Sequence, residues 1–266
     1  MQQHGQEVET IILGPSLSYH GIRPDLLDHP AFNLANSQQT TRYDWLILAH
    51  DSARLTHCHT LIYPLGALIM NFSIEETEGW HRCTYYRNYY GCRDHSLFSK
   101  YAWEVCYPLA LKAKFLKCYQ RHGAIDCDSL GFGTAEKATP DNLRKLTPDW
   151  VRKRVESNMQ LAPYIDFRNV YVDSIMSFCR RHRIRVLLID IPYYPAYTEY
   201  LRLHYPQYLN KADSLRDILL ARYDNITFRS YQDDARFDSL DFANPNHLNH
   251  RGAEKLTRIL KEDFSL

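Results

Sequence analysis

The chain has 266 residues, 45% hydrophobic and 24% charged, and its 32 Lys+Arg against 31 Asp+Glu give a formal net charge of +1. That composition excludes a disordered, collagen-like or coiled-coil polypeptide, and near-neutrality without a polybasic run excludes the electrostatic footprint of a nucleic-acid or membrane-surface protein. The length suits one large α/β domain or a smaller domain with a long insertion, while 20 Tyr and 13 His beside 10 Gly supply polar-tipped rings suited to a wet, concave surface.

The start, Met1-Gln-Gln-His-Gly-Gln-Glu7, is polar, and no run approaches the roughly 18 apolar residues of a membrane span. The chain therefore reads as soluble and cytoplasmic without a spanning segment, or as a cell-envelope protein if an anchor has been removed. Thr10-Ile-Ile-Leu-Gly14, stopped by Gly-Pro, predicts a buried strand. Ala31-Phe-Asn-Leu-Ala35 predicts a second, and the continuous run Trp45-Leu-Ile-Leu-Ala49 a third, covered on both faces as in a parallel sheet. Residues 73–163 read as an inserted region. Trp80, Tyr85, Tyr86, Tyr89 and Tyr90 crowd together, a long helix is predicted over 97–122, Gly131 to Pro140 is a polar loop, and Thr147-Pro-Asp-Trp150 starts another helix.

Beyond the insertion, Phe167 to His182 carries apolar residues at helical spacing and ends in a basic turn. Ile184 to Pro192 is the clearest strand, Asn225 to Arg229 a fifth, and Arg251 to Phe264 a closing helix with Asn249 as its N-cap. The alternation predicts a three-layer α/β/α, flavodoxin-like sandwich with a parallel five-stranded sheet and a helical insertion. Seven cysteines contain no C-x-x-C, so they read as unpaired small hydrophobes, with Cys83/Cys92 and Cys118/Cys127 the pairings open in an oxidising compartment. His57-Cys58-His59 alternates along an extended segment, so its side chains face opposite ways and no chelate follows. Neither a metal nor a cofactor is expected.

In a doubly wound sheet, ligands gather beyond the carboxyl ends of the strands. The residues leaving the first three predicted strands are Ser16, Asn36 and Asp51. Ser16, in Gly14-Pro15-Ser16, follows the first strand where a turn into a helix exposes a hydroxyl and aims backbone N–H groups at an anion. A serine needs a partner base to act as a nucleophile. One stands near the other end, in Asp241-Phe-Ala-Asn244-Pro-Asn-His247-Leu-Asn-His-Arg-Gly252-Ala.

The early Gly-x-Ser, Phe32-Asn-Leu-Ala-Asn36 and Asn-His-Leu-Asn-x-x-Gly-Ala before the last helix together resemble the SGNH (GDSL-type) hydrolases, and more narrowly SGNH-like proteins of bacterial cell-envelope polysaccharide systems. The likeness touches most of the chain outside 73–163, making 1–266 a single domain with that region as insertion or lid. It implies a serine esterase or O-acyltransferase of the acetyl type acting on an acylated carbohydrate, with Ser16 as nucleophile and His247 as general base. The oxyanion would be held by the Ser16 N–H and by Asn36, with Asp51 at the third loop.

The chain also departs from the family pattern. Asn244 replaces the Asp that usually stands three residues before the histidine, and Pro15 the Asp of Gly-Asp-Ser. A neutral Asn fixes a tautomer but stabilises an imidazolium less than a carboxylate does. Asp241 or Asp238 substitutes only if the loop folds back. His50-Asp51-Ser52 stands where a Gly-x-Asn-Asp would be.

Tyr193 and Tyr194, after the fourth predicted strand, are candidates to stack on substrate, and Trp80 with its neighbouring tyrosines to form a lid. The expected partner is a small-molecule or glycan ester, with no nucleic acid; the oligomeric state stays open. A catalytically silent SGNH-like binding or assembly protein is the rival reading. A flavodoxin-like ligand-binding domain is the third, but it would need phosphate-cradling glycines, and only Gly14 is present after the first strand.

Overall fold

A computed structural model describes residues 5–66, 74, 83–91, 126–161 and 170–266. Five strands, β1 (Thr10–Ile12), β2 (Ala31–Asn33), β3 (Thr60–Pro64), β4 (Arg185–Asp190) and β5 (Ile226–Ser230), form one sheet in the order β2-β1-β3-β4-β5. Every pairing is parallel, from Thr10 opposite Ala31 and Thr60 to Val186 opposite Ile226. The described helices are α1 (Ser16–Gly21), α2 (Thr41–Asp51), α3 (Cys83–Tyr90), α4 (Pro148–Met159), α5 (Val170–Arg181), α6 (Pro195–His204), α7 (Pro206–Arg222) and α8 (His250–Phe264). A hairpin of β6 (Phe242–Asn244) and β7 (His247–Leu248) precedes α8.

The strand period of two sorts the sheet's side chains into two cores. Ile11, Leu13, Leu61, Tyr63, Val186 and Leu188 meet Tyr43 and Ile47 of α2 and Ile175 and Cys179 of α5. The intervening Ile12, Ile62, Leu187 and Ile189 meet Leu256, Ile259 and Leu260 of α8. Helices thus cover both faces, giving the three-layer sandwich. A third cluster joins Val151 and Val155 of α4 to Tyr197 and Leu201 of α6.

The structure corrects one strand. Trp45–Ala49 lies inside α2, and the third strand is Thr60–Pro64, directly after His57-Cys58-His59. The buried residues of α2, Tyr43, Asp44, Ile47, Leu48 and Asp51, recur at helical spacing. An apolar run of five is ambiguous by periodicity alone. Here the helix wins because Trp45 and Leu46, off its sheet-facing stripe, also find apolar neighbours in the same core.

His57 and His59 are exposed whereas Cys58 is buried. His59 Nε2 stands 3.0 Å from Glu9 Oε2. Cys83 and Cys127 are free thiols, so neither pairing open to them has formed. Trp80, the helix expected over 97–122, Cys92, Cys106, Cys118, Phe167 and the Tyr89 side chain lie outside the described residues. Among the described residues no helix is long and apolar enough to cross a membrane.

Asp44 ties α2 to the strand ends. Fully buried, it accepts from the Gly14 N–H at 3.0 Å, the Gln39 amide at 2.7 Å and the Tyr63 hydroxyl at 2.8 Å. Burial raises its pKa from the ordinary 3.8 to about 6, against the pull of those three donors. The folded state therefore binds the proton more tightly than the unfolded chain. This group's stabilising contribution is complete below pH 3.8 and is lost as pH rises through about 6. Asp44→Ala strands three buried donors and is expected to destabilise the fold by about 3 kcal/mol. Asp44→Asn keeps an acceptor for Gly14 and should cost about 1 kcal/mol while removing this pH dependence, as urea titration at two pH values would show.

Candidate active site

The order β2-β1-β3-β4-β5 reverses direction between β1 and β3, and the carboxyl ends of those two strands open the crevice where such sheets bind ligands. Gly14 stands there with φ +115°. A Cβ at Gly14 would lie 2.8 Å from the Pro64 ring at the end of β3, so the turn requires glycine for both backbone angle and space. The chain then enters α1, with Pro15 as its extended N-cap and Ser16 as its first residue. Helical geometry leaves the first amides without an intrahelical acceptor, so the Ser16 N–H lies beside its own hydroxyl as an available donor.

His247 arrives on the β6–β7 hairpin, where Asn244 pairs with it across a tight turn. Three contacts hold it. The Tyr194 N–H donates to the Pro245 carbonyl at 2.9 Å, the Asn249 N–H to the Asp241 carbonyl at 2.9 Å, and the Asn249 side chain caps α8 by accepting from the Arg251 and Gly252 amides. His247 is thereby buried with Nε2 2.8 Å from Ser16 Oγ, across 231 residues of sequence. Its Nδ1 lies 3.1 Å from Asn244 Oδ1. The Asn246 N–H donates to that same oxygen at 3.2 Å, so an amide oxygen faces the ring and Nδ1 carries the proton. Nε2 is left with its lone pair toward Ser16. This is the tautomer a general base needs.

Burial pushes the His247 pKa down to about 3, with the Arg154 guanidinium and His20 adding to the effect. The His20 ring stands edge-on at 6.1 Å, and its own pKa is lowered chiefly by burial. A neutral imidazole is thus kept available far below the usual 6.5, at the expense of basicity. Any His247-dependent kcat/KM is expected to hold level from neutrality down to about pH 5, the acid limb lying lower still; a pH–rate profile checks this. Stability runs the other way from Asp44. The unfolded histidine takes up its proton near 6.5, so the stabilisation from keeping it neutral is complete above that value and is lost as pH falls toward about 3.

A cavity of about 780 Å³ opens on this pair and runs past Tyr193 and Tyr197 to Asp190 and Arg216 beyond the ends of β4 and β5. Asp190 ends β4, and burial raises its pKa to about 6 although Gln232 and Ser230 donate to it. Tyr193 lines the cavity and packs edge-on against Tyr197 at 5.0 Å. Tyr194 does not line it; its ring sits against Phe242.

The other candidates fall elsewhere. Asp241 is wholly buried, ion-paired with Lys255 and, at 3.3 Å, with Arg251. With Asp238 it forms a capping box, so it staples the loop ahead of α8 and leaves the orientation of His247 to Asn244. Asp51 closes α2 and pairs with Arg54 at 2.6 Å. Because the helix returns antiparallel to the strands before β3 begins, Asp51 belongs to the opposite edge of the sheet. Asn36 abuts the first turn through its N–H to the Gly14 carbonyl at 3.2 Å, but its Oδ1 accepts from Ser37 and its side chain does not line the cavity, whereas Gln38 does.

Of the tyrosines expected as a lid, Tyr86 stacks on Tyr43 of α2 at 3.9 Å and donates to Gln39. Tyr90 stands against His50. Tyr85, Tyr86 and Tyr90 are absent from the cavity wall. Among the described residues no cluster of three or more His, Cys, Asp or Glu could hold a metal ion.

Sequence reasoning missed Arg154 and Asp44. Arg154, on α4, donates through Nε to Asn246 Oδ1 at 2.6 Å and brings NH2 to 3.4 Å from His247 Nδ1. No local pattern marks it. Asp44 left a readable trace, a lone acid inside the apolar stretch around Trp45.

No family model matches the chain, and no curated protein matches it. Among solved structures it is similar to a GDSL-like lipase from Bacteroides thetaiotaomicron, at 9% identity and a TM-score of 0.43 over 100% of this chain and 90% of that one.

Proposed function

We propose that the chain is a serine-dependent esterase or O-acyltransferase of the SGNH (GDSL-type) kind, acting on an acylated carbohydrate. The observation that carries this reading is the Ser16–His247–Asn244 relay, with contacts of 2.8 and 3.1 Å, at the sheet's switch point. Ser16 Oγ attacks the ester carbonyl while its proton passes to His247 Nε2. The oxyanion forms against the Ser16 N–H. Collapse breaks the bond to the alcohol, which takes the proton back from His247 and leaves an acyl-serine. Water then returns the free acid, or a sugar hydroxyl carries the acyl group away. A cavity of about 780 Å³ with Tyr193 and Tyr197 on its wall and Asp190 at its far end supports a sugar-sized occupant.

Incubation with an aryl acetate tests the reading. Release of the phenol above the level of the His247→Ala protein supports it, and transfer to an added sugar distinguishes the acyltransferase from the hydrolase. One observation favours a second reading, a silent binding protein: a histidine of such low basicity oriented by a neutral Asn. Equal, background turnover by both proteins would select it.

A further inference from the structure

Among the described residues three arginines line the cavity, and two of them are neutralised. Arg202 stands 3.1 Å from Asp233, and Arg216 is 2.6 Å from Asp213 and 2.8 Å from Asp217. Arg154, half-buried, faces no carboxylate among the described residues. Its Nε is committed to Asn246, while its NH2 rests 3.4 Å from His247 Nδ1.

That second contact conflicts with the chemistry of the site. With Asn244 Oδ1 accepting the Nδ1 proton, the guanidinium meets a donor where it needs an acceptor. Once Ser16 has passed its proton to the ring, two cations stand side by side. A partly desolvated guanidinium without a counter-ion is costly, and its planar fork matches a carboxylate. NH1, which makes no hydrogen bond among the described residues, and the outer N–H of NH2 remain for that purpose.

Resting on the esterase reading, we infer that Arg154 binds a carboxylate carried by the substrate close to its ester, so that the site selects acidic acylated sugars or acidic acyl groups over neutral ones. The bound carboxylate also neutralises the charge beside His247 and eases imidazolium formation during attack. Recognition and activation are then coupled through one side chain. The near-neutral chain fits a ligand with a single local charge better than a polyanion.

The test compares nitrophenyl acetate with nitrophenyl hemisuccinate, which has its carboxylate on the acyl side, and with carboxy-nitrophenyl acetate, which has it on the alcohol side. The wild type should prefer at least one acidic ester by about tenfold or more in kcat/KM, and the side preferred locates the anion. Arg154→Gln should bring the ratio near unity by lowering kcat/KM for the acidic ester and raising kcat for the neutral one. Arg154→Lys should keep part of the preference. Arg152→Gln, on the exposed face of α4 where Arg152 pairs with Asp149 at 3.6 Å, should keep all of it.

Binding is read apart from turnover in the Ser16→Ala background. Glucuronate should shift the ring-nitrogen NMR signals of His247 where glucose does not, and Arg154→Gln should abolish that shift. Equal kcat/KM for acidic and neutral esters, a preference that survives Arg154→Gln, or a His247 signal indifferent to glucuronate overturns the inference. Absence of all ester turnover with the glucuronate response intact would instead overturn the esterase reading and leave the anion site standing.

Discussion

Ser16→Ala is expected to lower aryl-ester turnover by about 10³-fold or more while leaving the protein folded. Ser16 Oγ is bonded to His247 Nε2, so the change removes one nucleophile and one hydrogen bond, with a stability cost of about 1 kcal/mol. His247→Ala should fall to the same floor. The two lesions together should cost no more than either alone, because a hydroxyl without a base and a base without a hydroxyl are equally idle. Turnover in Ser16→Ala within a factor of about three of wild type would place the chemistry elsewhere.

Asn244→Asp is expected to raise turnover by about 10²-fold. The reverse exchange in a serine-protease triad costs about 10⁴-fold, since a carboxylate stabilises the imidazolium that forms when the serine attacks. Here the gain is smaller because the β6–β7 hairpin holds Oδ1 with a single Asn246 N–H and is not built around a charge. The new carboxylate should also lift the His247 pKa from about 3, moving the acid limb of the pH profile upward. A faster enzyme with an unmoved acid limb would mean that Asn244 does not orient the base. An unchanged enzyme would assign that role to another group.

What could be read in the sequence was whatever is recorded locally. The runs at Thr10, Ala31, Ile184 and Asn225 are strands because each is short, apolar and bounded by turn or polar residues. Asn249 caps α8 as its position before an amphipathic pattern indicates. Ser16 and His247 were legible as separate signals, and the fold brings them within 2.8 Å. Trp45 to Ala49 misled because a helix packed on the sheet and on other helices has few polar positions to betray its period. Asp51, at the end of that helix, consequently lies away from the carboxyl ends of the strands.

The third strand, Thr60–Pro64, follows the extended His57-Cys58-His59, and the longer apolar run at Trp45–Ala49 competes with it as the strand pattern. Arg154 reaches His247 across 93 residues from an amphipathic helix, and nothing in the helix pattern separates it from its exposed neighbours Arg152 and Lys153. Asp241 was an acid near a histidine, and it turned inward to Lys255 because a buried carboxylate must find a cation.

The most direct measurement is the site of covalent capture. The folded protein is treated with a fluorophosphonate, and its mass and labelled peptide are read by mass spectrometry, beside His247→Ala. A single adduct on Ser16 is expected in the wild type, with labelling slowed at least about tenfold in His247→Ala. No adduct, or one on another residue formed at the same rate in both proteins, would contradict it.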